Sequence, residues 1–193
     1  MWEKISDLLN EQEEDLSGQM TNELTVNMED IQFAYDSQHH IFENMNIHVK
    51  SGESIAIVGK TDSGKSTLYK LLAKFYPTEK GQFTIGDTNA SELSTGSLRK
   101  RMAYINRNTY IFNGTVQDNV ALNGTCPSEM IEKALAIACL NDEFTPRSVV
   151  GSEGKAISDG QRVRLAIARA VIKNPDIFLI DEALTALDPS TEK

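Results

Sequence analysis

Gly59-Lys60-Thr61-Asp62-Ser63-Gly64-Lys65-Ser66-Thr67 lies between Ser54-Ile55-Ala56-Ile57-Val58, a short apolar run, and Leu68, Leu71, Leu72 and Phe75, which recur at helical spacing. The first flank has the composition of a strand buried on both faces, and the second has the periodicity of an amphipathic helix. The unit therefore reads strand, glycine loop, helix. Glycines at 59 and 64 let the backbone curl so that consecutive N–H groups point inward, and the helix that follows adds the positive end of its dipole. Such a loop binds a polyphosphate mostly through its main chain. Lys65 adds a point charge for the outer phosphates, and the Ser66 hydroxyl can ligate a divalent cation.

The chain around this loop has 193 residues, enough for one domain or two closely packed subdomains. Its 40% hydrophobic and 24% charged residues lie near the globular norm, which excludes collagen-like and wholly disordered classes. Nineteen Lys and Arg stand against 28 Asp and Glu, a net charge of −9 that disfavours nucleic acid as a partner. A polyanion must therefore be held by a local device such as the glycine loop. Apolar runs such as Ile177-Phe178-Leu179-Ile180 are far shorter than the ~20 residues a membrane-spanning helix needs. Met1 to Asp15 is acidic and lacks the pattern of a secretory signal, so a cytosolic location is expected. Cys126 and Cys139 fit no zinc or redox spacing and read as reduced thiols, while His39 and His40 read as part of a solvated turn.

Trp2, Ile5, Leu8 and Leu9 suggest a short amphipathic helix running into the acidic stretch Glu11 to Asp15, so residues 1–23 read as a helix and linker. From Val26 the pattern alternates, in Ile31, Phe33 and Tyr35 and again in Met45, Ile47 and Val49, with Asp36 to His40 as the turn. That predicts an antiparallel sheet. Phe83 and Ile85 suggest one more strand and Met102 to Ile105 another, followed by helices over about 127–140 and 160–172. Asn174-Pro175 stops the second helix, and Asp176 to Ile180 reads as another buried strand that delivers Asp181 and Glu182 at its carboxyl end. Asp181 is placed to hold a magnesium ion beside the glycine loop, and Glu182 to act as general base toward water.

The glycine loop is the Walker A pattern and the strand ending in Asp181 the Walker B pattern. Between them stands Ile157-Ser158-Asp159-Gly160-Gln161-Arg162, and after them Ala183-Leu184-Thr185-Ala186-Leu187-Asp188. The set resembles the ATP-binding cassette (ABC) family, whose signature reads Leu-Ser-Gly-Gly-Gln and whose D-loop reads Ser-Ala-Leu-Asp, over about residues 24–193. The resemblance implies an α/β P-loop NTPase with a mostly parallel core sheet, an antiparallel β subdomain and a helical subdomain at about 107–173. It implies ATP and Mg²⁺ as ligands. Gly59, Lys60, Thr61, Asp62, Ser63, Gly64, Lys65, Ser66 and Thr67 would cradle the phosphates, with Ser66 and Asp181 on the metal and Lys65 and Glu182 catalytic. Tyr35 resembles the aromatic that stacks on adenine. Two cassettes would pack head to tail, as a homodimer or heterodimer, so that Ser158, Gly160, Gln161 and Asp188 meet the nucleotide of a second cassette.

Val150-Gly151-Ser152-Glu153-Gly154 is similar to the segment that ABC exporters place against their membrane domain, and residues 1–23 resemble the exporter tether. The resemblance thus implies an ATPase powering export at the cytoplasmic face of the cell membrane, with a transmembrane domain or subunit as partner. The chain departs from the family pattern in two places. Asn106-Arg107 replaces the Pro-Gln of the Q-loop, and Arg107 is a cation that cannot ligate a metal. Asp159 replaces the first signature glycine. A carboxylate ~5 Å from a γ-phosphate charge is worth roughly 3 kcal/mol of repulsion at an effective dielectric of ~20. The alternative is that Asp159 caps the helix from 160 with its side chain turned away. The chain also ends at Lys193, before the family's switch histidine and final strands, so it is expected to bind ATP but hydrolyse it poorly. A nucleotide-binding regulatory cassette is the second reading.

Overall fold

The structure is a computed structural model that describes residues 24–36, 39–60, 62–122, 124–151, 154 and 156–181. The chain divides into two compact units, Met1–Arg99 and Lys100–Lys193. The expected tether at 1–23 lies outside the described residues, as do Thr61, Glu182 and Asp188.

In the first unit β1 (Val26–Asp36), β2 (His39–Val49), β3 (Lys80–Ile85) and β4 (Thr88–Asn89) form an antiparallel sheet in the order β2-β1-β3-β4. Val26 pairs with Val49 on one side and with Ile85 on the other. The predicted alternation holds: Val26, Met28, Ile31 and Phe33 are buried, and the phase slips once at Glu29–Asp30. That slip is a bulge. Asp30 has φ 50° and Gly81 φ 96°, and a Cβ on Gly81 would stand 2.5 Å from the Glu29 carbonyl, so only glycine fits opposite it.

Helix α1 (Lys65–Leu72) follows the glycine loop and buries Thr67, Leu68, Leu71 and Leu72. It stops sooner than the apolar spacing predicts. Lys74 turns left-handed at φ 54°, its N–H donating to Leu71 O at 2.9 Å while Phe75 N–H donates to Lys70 O at 2.8 Å. These two bonds are a Schellman closure. Phe75 is thereby lifted off the helix face, and the Arg99 guanidinium lies 4.3 Å from its ring centre. A short helix α2 (Thr95–Lys100) buries Leu98.

A larger correction concerns Ser54–Val58. This run is not a buried strand: it carries no strand assignment, and Ile55 is 46% and Val58 90% exposed. Apolar composition favours burial, but a parallel strand exists only through neighbours that complete its ladder. The described parallel pairing is confined to β5 (Met102–Asn106) and β8 (Ile177–Asp181) in the second unit. For the same reason β8 is only half buried, Leu179 facing inward while Phe178 and Ile180 are exposed.

Among its described residues the second unit is built around three helices, α3 (Val116–Ala121), α4 (Ser128–Ile137) and α5 (Asp159–Lys173). Val116, Val120, Ile131, Leu135, Leu165 and Ala168 belong to one buried cluster. A second face of α5, with Val163, Ala166 and Ala170, packs on Ala103 and Ile105 of β5. Both longer helices fall where periodicity puts them, with Pro127 as the N-cap of α4 and Asn174, at φ 48°, as the C-cap of α5. Two short strands, β6 (Gly114–Thr115) and β7 (Val149–Val150), pair antiparallel. Among the described residues no helix is long and apolar enough to cross a membrane.

Candidate functional site

The glycine loop turns where its sequence allows. Ser63 N–H donates to Lys60 O at 3.3 Å, Asp62 takes φ 63°, and Gly64 takes φ 89° as the N-cap of α1. A Cβ on Gly64 would stand 2.8 Å from Ile41 Cγ2 and 2.9 Å from the Phe42 ring, so the close approach of β2 requires glycine as much as the backbone angle does. Gly64 supplies no side-chain cap. The first N–H groups of α1 are therefore left for an outside acceptor, the feature that makes a helix start an anion site.

Lys65 folds back over this loop, its Nζ donating to Gly59 O at 3.0 Å and Lys60 O at 2.8 Å. The ammonium is thus parked on two neutral carbonyls, a weaker partner than phosphate. Ser66 is exposed beside it, whereas Thr67 is buried. Tyr35, at the end of β1, is 44% exposed, and its hydroxyl lies 3.1 Å from Thr67 Oγ1. Edge-to-face contacts with Phe33, at 5.0 Å, and Tyr76, at 5.2 Å, hold the ring upright. The fold of the first unit therefore gathers Tyr35 and the described part of the glycine loop at one place.

The second unit carries the acid and the signature. Asp181 ends β8 opposite Asn106 of β5, and Tyr104 donates to its Oδ2 at 2.9 Å, which orients the carboxylate. Asp181 and Ser66 are oxygen donors, the kind a hard divalent cation takes. At the start of α5 the N-cap is Ser158, which removes the alternative in which Asp159 caps a helix from 160. Ser158 Oγ accepts from Gln161 N–H at 3.2 Å, and Ser158 N–H donates to Gln161 Oε1 at 2.9 Å, a reciprocal capping box. Gly160 is half-buried in the first turn.

Three partnerships here were not legible in the sequence. Gln161 Nε2 donates to Glu143, which also pairs with Arg164 at 2.8 Å. Arg169 donates to the carbonyl of fully buried Asn119 at 2.6 Å, and burial pulls its guanidinium below the usual range. Arg107 and Asp159, the two departures from the family pattern, form an ion pair at 3.3 Å. Each joins residues far apart in the chain, and neither spacing nor composition encodes such a meeting.

Residues 42–185 match the family model described as ABC transporter, so the chain belongs to that family. The uncharacterized ABC transporter ATP-binding protein YwjA of Bacillus subtilis is 34% identical over 184 residues, covering 92% of this chain and 32% of that protein. The ATP-dependent lipid A-core flippase of Pectobacterium atrosepticum is 34% identical, covering 84% and 29%. The lactococcin-G-processing and transport ATP-binding protein LagD of Lactococcus lactis is 35% identical, covering 87% and 25%. A solved bacterial Atm1-family ABC exporter with ATP bound superposes with a TM-score of 0.88 at 28% identity, covering 99% of this chain and 36% of the other. The chain thus spans about a quarter to a third of the length of the curated relatives named here. Its fold is that of an ABC ATPase domain.

Proposed function

We propose that this chain is the ATP-hydrolysing cassette of an exporter. The observation that carries this reading is the glycine loop with an uncapped helix start and the Lys65 ammonium folded across it, beside the exposed ring of Tyr35. A nucleotide entering there would stack its base on Tyr35 and lay its phosphates against the N–H groups of the loop. Lys65 would exchange two carbonyls for the β- and γ-phosphates, a stronger, charge-assisted contact. Mg²⁺ held by Ser66 and Asp181 would neutralise charge on the same phosphates. Glu182 would orient or deprotonate the attacking water, and the Tyr104 hydroxyl would hold the Asp181 carboxylate in one orientation.

Ser158, Gly160, Gln161 and Asp188 would meet nucleotide held by a second cassette, so one chain supplies half of each of two composite sites. Binding would clamp two cassettes together and hydrolysis would release them, moving a membrane domain on whose cytoplasmic side the pair sits. The flippase and transport names of two relatives and the exporter name of the Atm1-family neighbour support this assignment. Replacing Lys65 with Ala is expected to lower ATP turnover at least about a hundredfold and to weaken MgATP binding, both read by titration and phosphate release. Unchanged affinity and turnover would overturn the reading.

A further inference from the structure

We propose that Arg107 and Asp159 act as one unit, Arg107 being a positioning residue that neutralises the signature carboxylate and keeps the signature usable against a second cassette's nucleotide. The proposal rests on the composite-site reading above. Its ground is that two residues which each depart from the family pattern are neighbours in space, Arg107 NH2 lying 3.3 Å from Asp159 Oδ2. Taken singly, each looks like damage. Together they restore local neutrality.

The surrounding contacts make the meeting a built one. Packing of Ala103 and Ile105 against Val163, Ala166 and Ala170 sets β5 on the flank of α5, so the loop that leaves β5 emerges beside the helix start. Arg162 donates to Thr109 O at 3.4 Å and Thr109 Oγ1 to Asn106 O at 2.9 Å, two further ties across and within the same loop. On the helix side the Ser158–Gln161 capping box and the Gln161–Glu143 bond pin the first turn, leaving Asp159 projecting from a fixed backbone. Both charged side chains are more than half exposed, at 56% and 61%. An exposed pair of this kind adds little to stability. Its consequence lies in where charge falls: an unpaired Asp159 would present a negative group to an incoming γ-phosphate, whereas the pair presents none in net.

The test uses the intact transporter carrying this cassette, with ATP turnover measured against ATP concentration for Arg107→Gln, Arg107→Lys, Asp159→Asn and the Arg107→Gln/Asp159→Asn double variant. Thermal melting of each confirms folding. Arg107→Gln is expected to raise the ATP concentration for half-maximal turnover about tenfold, as an uncovered carboxylate near phosphate would. Arg107→Lys should stay within about threefold, and the double variant should return close to Asp159→Asn alone, because removing the carboxylate removes the need for its partner. Equal losses in Arg107→Gln and Arg107→Lys, or single effects that simply multiply in the double variant, would overturn the proposal. Lys65→Ala in each background separates the two levels: turnover surviving it would mean that the cassette reading itself fails, whatever the pair does.

Discussion

Thr115 and Asp118 show how one carboxylate is tuned by its neighbours. The Thr115 hydroxyl and N–H both donate to Asp118 Oδ2, the N–H at 2.9 Å, and Asp118 N–H donates back to Thr115 Oγ1 at 3.1 Å. These bonds favour the charged form and hold the Asp118 carboxyl below its ordinary value, the Thr115 side chain contributing most. The folded value thus lies under the unfolded ~3.9, and as pH falls the unfolded chain takes up the proton first. The stability owed to this group is whole above about pH 4 and is lost as pH drops through the lowered folded value. Asp118→Asn should therefore lower stability near neutrality and flatten this part of the acid limb, the deficit shrinking as pH falls below about 4, read by denaturant unfolding at a series of pH values. Glu182→Gln keeps the size of the side chain and removes its basicity, so turnover should fall about a hundredfold or more while MgATP affinity stays within a few-fold.

Helix α3 depends on a residue that looks polar and ordinary in the sequence. Asn119 is fully buried; its Oδ1 accepts from Phe112 N–H at 2.8 Å, and its Nδ2 donates to Phe112 O at 2.9 Å and Thr115 O at 3.0 Å. Arg169 NH2 reaches the same Oδ1 at 3.1 Å, tying α3 to α5. Asn119→Ala leaves these backbone groups without their partner and should cost about 2–3 kcal/mol, measured as a shift of the unfolding midpoint. The ends of the helices follow similar local chemistry. α3 and α5 begin with capping boxes, at Thr115 and Ser158, whereas α1 begins at a glycine that cannot cap. α1, proposed to bind phosphate within its own cassette, has no side-chain cap at its start, whereas α5 keeps its capping box at the signature.

Across the whole chain, the proposed chemistry is shared between units that each carry part of it. Lys65 and Tyr35 lie in Met1–Arg99, and Asp181 and Ser158 in Lys100–Lys193. The hairpin of β1 and β2, α4, α5 and the Walker A pattern were legible from the residues because each rests on short-range rules: alternation, helical period, caps and glycine turns. The phosphate reading likewise rested on short-range features alone, glycines at 59 and 64 directly before a helix start. Ser54–Val58 was misread because a parallel strand is completed by other strands, and composition does not say whether they are there. The early stop of α1 depended on a left-handed turn at Lys74, a residue with no helix-ending signature. Asp159 is the clearest case: its charge, its place in the signature and its conflict with phosphate were all visible in the chain. Its neutralising partner, Arg107, came into view only with the packing of β5 on α5, because an ion pair is a matter of distance through space and residues 107 and 159 are brought within 3.3 Å by contacts neither of them makes.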